Sequence, residues 1–209
     1  FKKLTSARML HLSFTPNADE IKWASERTNT PEALFAVVLA LKCHQKMARL
    51  PSAAEVPDEV VDHVRRHLDL GEDVEPDHGS GRTAKWHRKQ IRTRLGVTYD
   101  PSRARKIAAE AIREAARSRH YPPDLINAAL DRLVEASVEL PGFSTLDEMA
   151  TRIRGEANAE IFAQVNDRMG EEGRARLKAL VAVAEDGYSM FNRLKKPAKR
   201  ATWSRFKAQ

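Results

Sequence analysis

Apolar residues along this chain recur at intervals of three and four and rarely alternate with polar ones, a pattern that predicts helices and no convincing strand. Short helices are expected over residues 5–12, carrying Met9 and Leu12, and over 17–26, carrying Ile21 and Trp23. Thr30-Pro31 supplies an N-cap oxygen and a proline at the first helical position. The helix it opens, to about residue 49, has Leu34, Phe35, Val37, Val38, Leu39 and Leu41 on nearly every side, so it should be central and buried, with Pro51 ending it. Val56-Pro57 opens another helix, to about Leu70.

Residues 71–81 contain Pro76, three glycines and many acids, and read as a linker between two subdomains. Beyond it a helix is expected over 82–95, capped by Gly96. Asp100-Pro101 starts the next, with Ala104, Ile107, Ala108, Ala111, Ile112 and Ala115 on one face. Pro122-Pro123 opens a helix holding Leu125, Ile126, Ala129, Leu130, Leu133 and Val134. Ser144 with Asp147 resembles a capping box at the start of a long helix to about Asp167, followed by another over 171–184 and a last one from near Thr202. The fold expected is all-α: an N-terminal helical subdomain (1–78), a second one (79–190) with helix-turn-helix-like elements, and a basic segment (191–209).

Charge adds a function class to this picture. Residues 80–121 hold 12 Lys+Arg against 3 Asp+Glu, and residues 187–209 hold 7 and none, while the rest of the chain is net acidic; the overall +7 is therefore segregated. Segregated positive charge is what a polyanion-binding surface needs. On a helical wheel Arg82, Lys85, Lys89 and Arg92 fall within ~80° of one another, and Ala84, His87, Ile91 and Leu95 group about 130° away. One face can pack while the other offers a row of cations to phosphates or a major groove. Arg88 and Arg94 lie on the same helix, and Arg103, Arg105 and Lys106 open the next. Gly79-Ser80-Gly81 gives an adaptable backbone at the helix N-terminus. Trp86, at the edge of the basic face, has two readings: stacking on a sugar or base, or a contact between subdomains. Lys195, Lys196, Lys199 and Arg200, around Pro197, read equally as a strap along a phosphate backbone or as a basic tail.

Other chemistries find little support. His63 and His67 have the spacing of a zinc pair, but Arg65 and Arg66 between them disfavour a dication, and no third ligand stands out. The Gly79-x-Gly81 stretch lacks a following Gly-Lys-Ser/Thr, so it is no P-loop. No catalytic constellation, metal site or cofactor motif can be singled out. Cys43, the single cysteine, reads as a buried reduced thiol. No apolar run approaches the ~20 residues of a membrane span, no signal-peptide pattern is present, and a cytosolic place is the default. The chain opens on Phe1 rather than Met, which suggests a piece of a longer protein.

Several segments together resemble the N-terminal region of TnpA, the large transposase of the TnA-type, cointegrate-forming bacterial transposons. The run 138–154 (VELPGFSTLDEMATRIR) resembles a family stretch of the form LPG-x-[ST]-TL-[DE] leading into a long helix. Residues 5–10 (TSARML), 34–51, 55–61 (EVPDEVV), 87–96 (HRKQIRTRLG), 172–180 (EGRARLKAL) and 194–197 (LKKP) agree in order and spacing. The likeness covers nearly the whole chain, and its collinearity is more specific than any one motif. Residues 29–38 and the lead-in 79–83 depart from the family pattern. The resemblance implies binding of double-stranded DNA at the terminal inverted repeats of a transposon. Catalysis in that family belongs to an RNase H-like domain further along, so the expectation here is a DNA-binding fragment without catalysis. Its partners would be the transposon ends and the rest of the transposase chain, with no membrane and with room for a dimer in the full-length protein, in a nucleoid-associated bacterial setting. The alternatives are a stand-alone helix-turn-helix regulator and a protein-interaction scaffold.

Overall fold

The computed structural model describes residues 6–195, and the protein is all-α. Among those residues nine α-helices follow one another: α1 (Ala7–Phe14), α2 (Ala18–Ser25), α3 (Pro31–Met47), α4 (Asp58–His67), α5 (Gly81–Leu95), α6 (Pro101–Ala116), α7 (Pro122–Glu135), α8 (Phe143–Val181) and α9 (Met190–Leu194). Local sequence sets most of the boundaries. The Asn17 side chain accepts the Glu20 N–H at 2.8 Å and the Glu20 carboxylate accepts the Asn17 N–H at 2.9 Å, a reciprocal cap that starts α2. Thr30 caps α3 through the Ala33 N–H, and Asp100 caps α6 through the Arg103 N–H at 2.9 Å. Gly96, at φ 66°, ends α5 in a left-handed conformation that costs glycine nothing. Asp100→Ala is expected to cost about 1 kcal/mol, read as a lower thermal midpoint with the helical circular-dichroism signal retained.

The chain divides into two compact units, residues 1–154 and 155–209. In the first, α3 is the central helix that its pattern predicts, burying Phe35, Val37, Val38, Leu41 and Cys43 completely or almost so. Phe35, Val37, Val38 and Cys43 form one core cluster with Leu10 and Phe14 of α1, Ala24 of α2, and Val60 and Val64 of α4. Burial pushes the Cys43 thiol up to about 12, so it stays protonated at neutral pH. Lys42 and Glu20 are also buried, 3.2 Å apart, and Gln45 donates to the same carboxylate at 2.7 Å. Burial works to raise the Glu20 pKa, but the Asn17 N–H, Gln45 and Lys42 outweigh it and hold it below the ordinary carboxylate range. Helices α6 and α7 pack on each other, and Ala104, Ala108, Ala111 and Ile112 of α6 and Leu125, Ala129 and Leu133 of α7 are buried.

Residues 71–81 are irregular and are bonded to the elements around them: Asp77 N–H donates to the Glu32 carbonyl at 3.2 Å, the Arg65 guanidinium reaches the Val74 carbonyl at 3.1 Å and Glu75 at 2.9 Å, and α5 packs on α3. Composition reports the lack of regular structure there, not the lack of tertiary bonds. Ser144 does not cap α8, because the helix already begins at Phe143 and Leu146 N–H donates to the Gly142 carbonyl. The two helices expected over 144–167 and 171–184 are present within α8 and are divided at Gly170, whose φ of 65° only glycine adopts freely.

In the second unit, residues 155–181 continue α8, Val183 and Ser189 form an isolated antiparallel bridge, and Ser189 caps α9. Ser189 is the one buried residue among the described residues of this unit. The helix expected from near Thr202 lies outside the described residues.

Candidate nucleic-acid interface

Helix α5 is held by its inner face. His87 and Ile91 are buried, as the wheel predicts, while Ala84 and Leu95 are half-buried. Opposite them Arg82, Lys85 and Lys89 are exposed, with Arg88 exposed at the border of the packed face, and none has a carboxylate partner among the described residues. Over two turns α5 therefore presents four uncompensated cations to solvent.

The two remaining arginines of α5 belong to the scaffold. Arg92 Nε donates to a carboxylate oxygen of Glu139, which is buried, and the Arg92 guanidinium also lies 4.2 Å from the centre of the Tyr99 ring. The other Glu139 oxygen accepts the Leu50 N–H at 3.2 Å. Around this carboxylate the backbone closes a clasp: Thr98 N–H donates to the Ser137 carbonyl, Glu139 N–H to the Thr98 carbonyl, and Leu140 N–H to the Ala48 carbonyl. Arg94 pairs with Asp19 and stacks on the Trp23 ring at 4.8 Å, with Arg27 at the same distance. Along the row read from the wheel, Arg92 is thus paired within the protein, as is Arg94, whereas Arg82, Lys85, Arg88 and Lys89 have no such partner among the described residues.

Arg103, Arg105 and Lys106 are exposed on the first turns of α6, again without carboxylate partners among the described residues. Lys195 is exposed, its ammonium 4.4 Å from the Phe191 ring centre, and belongs to the second unit. Lys196, Lys199 and Arg200 lie outside the described residues.

Beside the cationic face opens a cleft of about 580 Å³, with Trp86, 44% exposed, on its rim. Asn29, Thr30, Glu32 and Asp77 line it, and His87 forms part of its floor. His78 and His87 meet there, Nδ1 to Nδ1 at 3.2 Å, a hydrogen bond in which one ring donates and the other, which must be neutral, accepts. Burial, then the neighbouring His87 and Arg88, lower the His78 pKa to about 4. Burial also lowers that of His87, against a hydrogen bond to the Arg27 backbone. This histidine pair left no signal in the sequence beyond two histidines nine residues apart.

His63 and His67 stack with ring centres 4.2 Å apart, but His63 Nε2 is bonded to the Thr15 hydroxyl at 2.9 Å and His67 Nδ1 to the His63 carbonyl at 2.7 Å. Among the described residues no three His, Cys, Asp or Glu are grouped to hold a metal ion, and no helix is long and apolar enough to cross a membrane.

The architecture is that of an all-α protein whose exposed cations concentrate on two consecutive helices. Residues 1–153 match the family described as Domain of unknown function (DUF4158), and the chain belongs to it. No curated protein matches the sequence.

Proposed function

We propose that the chain binds double-stranded DNA through α5, with α6 adding phosphate contacts from Arg103, Arg105 and Lys106. The observation that carries this reading is the division of labour on α5. Arg92 and Arg94 are spent on holding the helix, while Arg82, Lys85, Arg88 and Lys89 face solvent with no acid beside them. A merely solvated charged face has no need of such rigid support, whereas a row of cations that must match phosphate spacing does. The resemblance to the transposase N-terminal region gives the target within this reading: the terminal inverted repeats of a transposon, bound by a non-catalytic part of a larger transposase, with α5 and α6 as its helix-turn-helix-like reading elements.

The variant Arg82→Ala/Lys85→Ala/Lys89→Ala tests it, since it removes exposed cations and leaves the clasp intact. Affinity for a DNA duplex is expected to fall about 100-fold, and the slope of log affinity against log salt to drop by about 3, with the thermal midpoint unchanged. An unchanged affinity would show that α5 is not the DNA face. A flat salt response of the unaltered protein would favour a protein-binding scaffold instead. Candidate transposon ends against scrambled duplex then test the target, where equal affinity would remove the transposon-end assignment and leave general DNA binding.

A further inference from the structure

The geometry points to the cleft between α5 and the start of α3 as a pocket for one unpaired nucleobase of the bound DNA, stacked on Trp86. This rests on the DNA-binding reading of α5 and adds a second kind of contact to it. Trp86 follows Lys85 directly in α5, so a strand whose phosphates lie along Arg82, Lys85 and Lys89 passes the mouth of the cleft. The indole is 44% exposed, as is needed for a ring with one free surface.

The lining selects a base over a phosphate. The acids Glu32 and Asp77 line the cleft, one Asp77 oxygen accepting the Gly79 N–H at 2.8 Å, and Arg27, the Lys or Arg among its lining residues, is turned to the Trp23 carbonyl at 2.9 Å and to Glu26. A phosphate meets net repulsion there, while a neutral base with an exocyclic amine finds acceptors. The Asn29 amide, which has no protein partner among the described residues, offers a donor and an acceptor together, the pattern that reads a base edge. A base can enter only when it is out of the stack, so the site favours DNA with an unpaired or easily unpaired nucleotide.

The test uses the whole chain and two mixed-sequence duplexes, one fully paired and one carrying a single unpaired 2-aminopurine. Binding of the second is expected to be about tenfold tighter, with its emission quenched on binding. Trp86→Ala should make the two affinities equal while the salt slope on the paired duplex stays as it was. Trp86→Phe keeps a ring and should retain most of the preference. Asn29→Ala should reduce it without altering binding of the paired duplex. If the unaltered protein binds both duplexes equally, or Trp86→Ala weakens both by the same factor, the pocket is overturned and the DNA-binding reading stands. If neither duplex is bound, the DNA-binding reading fails and takes the pocket with it.

Discussion

Arg92→Ala is expected to cost about 3–5 kcal/mol of folding stability, the loss that follows when one partner of a buried ion pair is removed and the other is left behind. Glu139 is the partner left behind: its side chain is 7% exposed, and without the guanidinium it keeps only the Leu50 N–H. The clasp it centres joins the end of α3, the turn after α5 and the segment after α7, so the damage should reach the whole first unit. Urea unfolding should show a lower midpoint with an unchanged slope. Arg92→Lys should recover only part of the loss, because an ammonium cannot present the flat guanidinium that both meets Glu139 and lies over Tyr99. Arg92→Met/Glu139→Gln, which removes both charges and keeps an acceptor for Leu50, should lose much less than Arg92→Ala. Paired with Lys89→Ala, the result also separates scaffold from interface. Arg92→Ala should lower stability and, while folded, keep the salt slope of DNA binding; Lys89→Ala should do the reverse. A stable Arg92→Ala protein with weakened DNA binding would return Arg92 to the phosphate-contacting row.

Acid is expected to begin destabilising the protein above the range in which its carboxylates are protonated. His44, His63, His78 and His87 are all held below the ordinary histidine range, chiefly by burial. A histidine whose folded-state pKa is depressed takes up its proton more readily in the unfolded chain. Its stabilising contribution is therefore complete above the unfolded pKa and is lost as pH falls through the folded one. For His78 the window runs from 6.5 down to about 4, and the shift corresponds to roughly 3 kcal/mol. The cause is geometric as well as dielectric: double protonation of His78 and His87 would set two N–H groups against each other across 3.2 Å, beside Arg88. Thermal midpoints measured across this window should fall steadily as pH is lowered. His78→Asn should flatten the upper part of the curve, and a curve that stays level to the lower limit would refute the assignment. Glu55 is held at about 2 first by Arg49 and then by the Ser52 N–H, so its contribution is lost from 4.5 down to about 2 and meets the histidine window only at its acid end.

What the sequence by itself determined is what short-range physics controls. The caps at Asn17, Thr30 and Asp100, the stop at Gly96, the buried character of α3 and the inward face of α5 through His87 and Ile91 each depend on residues within a few positions of one another. Periodicity and capping chemistry report those directly. The collection of cations on 82–95 was legible for the same reason. The tertiary structure decided which of them are free. Arg92 and Glu139 are 47 residues apart, and Arg94 and Asp19 are 75 apart, so no local pattern distinguishes these arginines from Arg82, Lys85, Arg88 and Lys89. The same holds for residues 71–81, whose composition suggests a linker although Asp77 and Val74 are bonded to the elements around them, and for the cleft beside Trp86, which exists only because α5 is packed against α3. A helix wheel gives the direction of a side chain but not what stands opposite it, and only the packing of distant elements decides whether a charge meets an acid of its own chain or solvent.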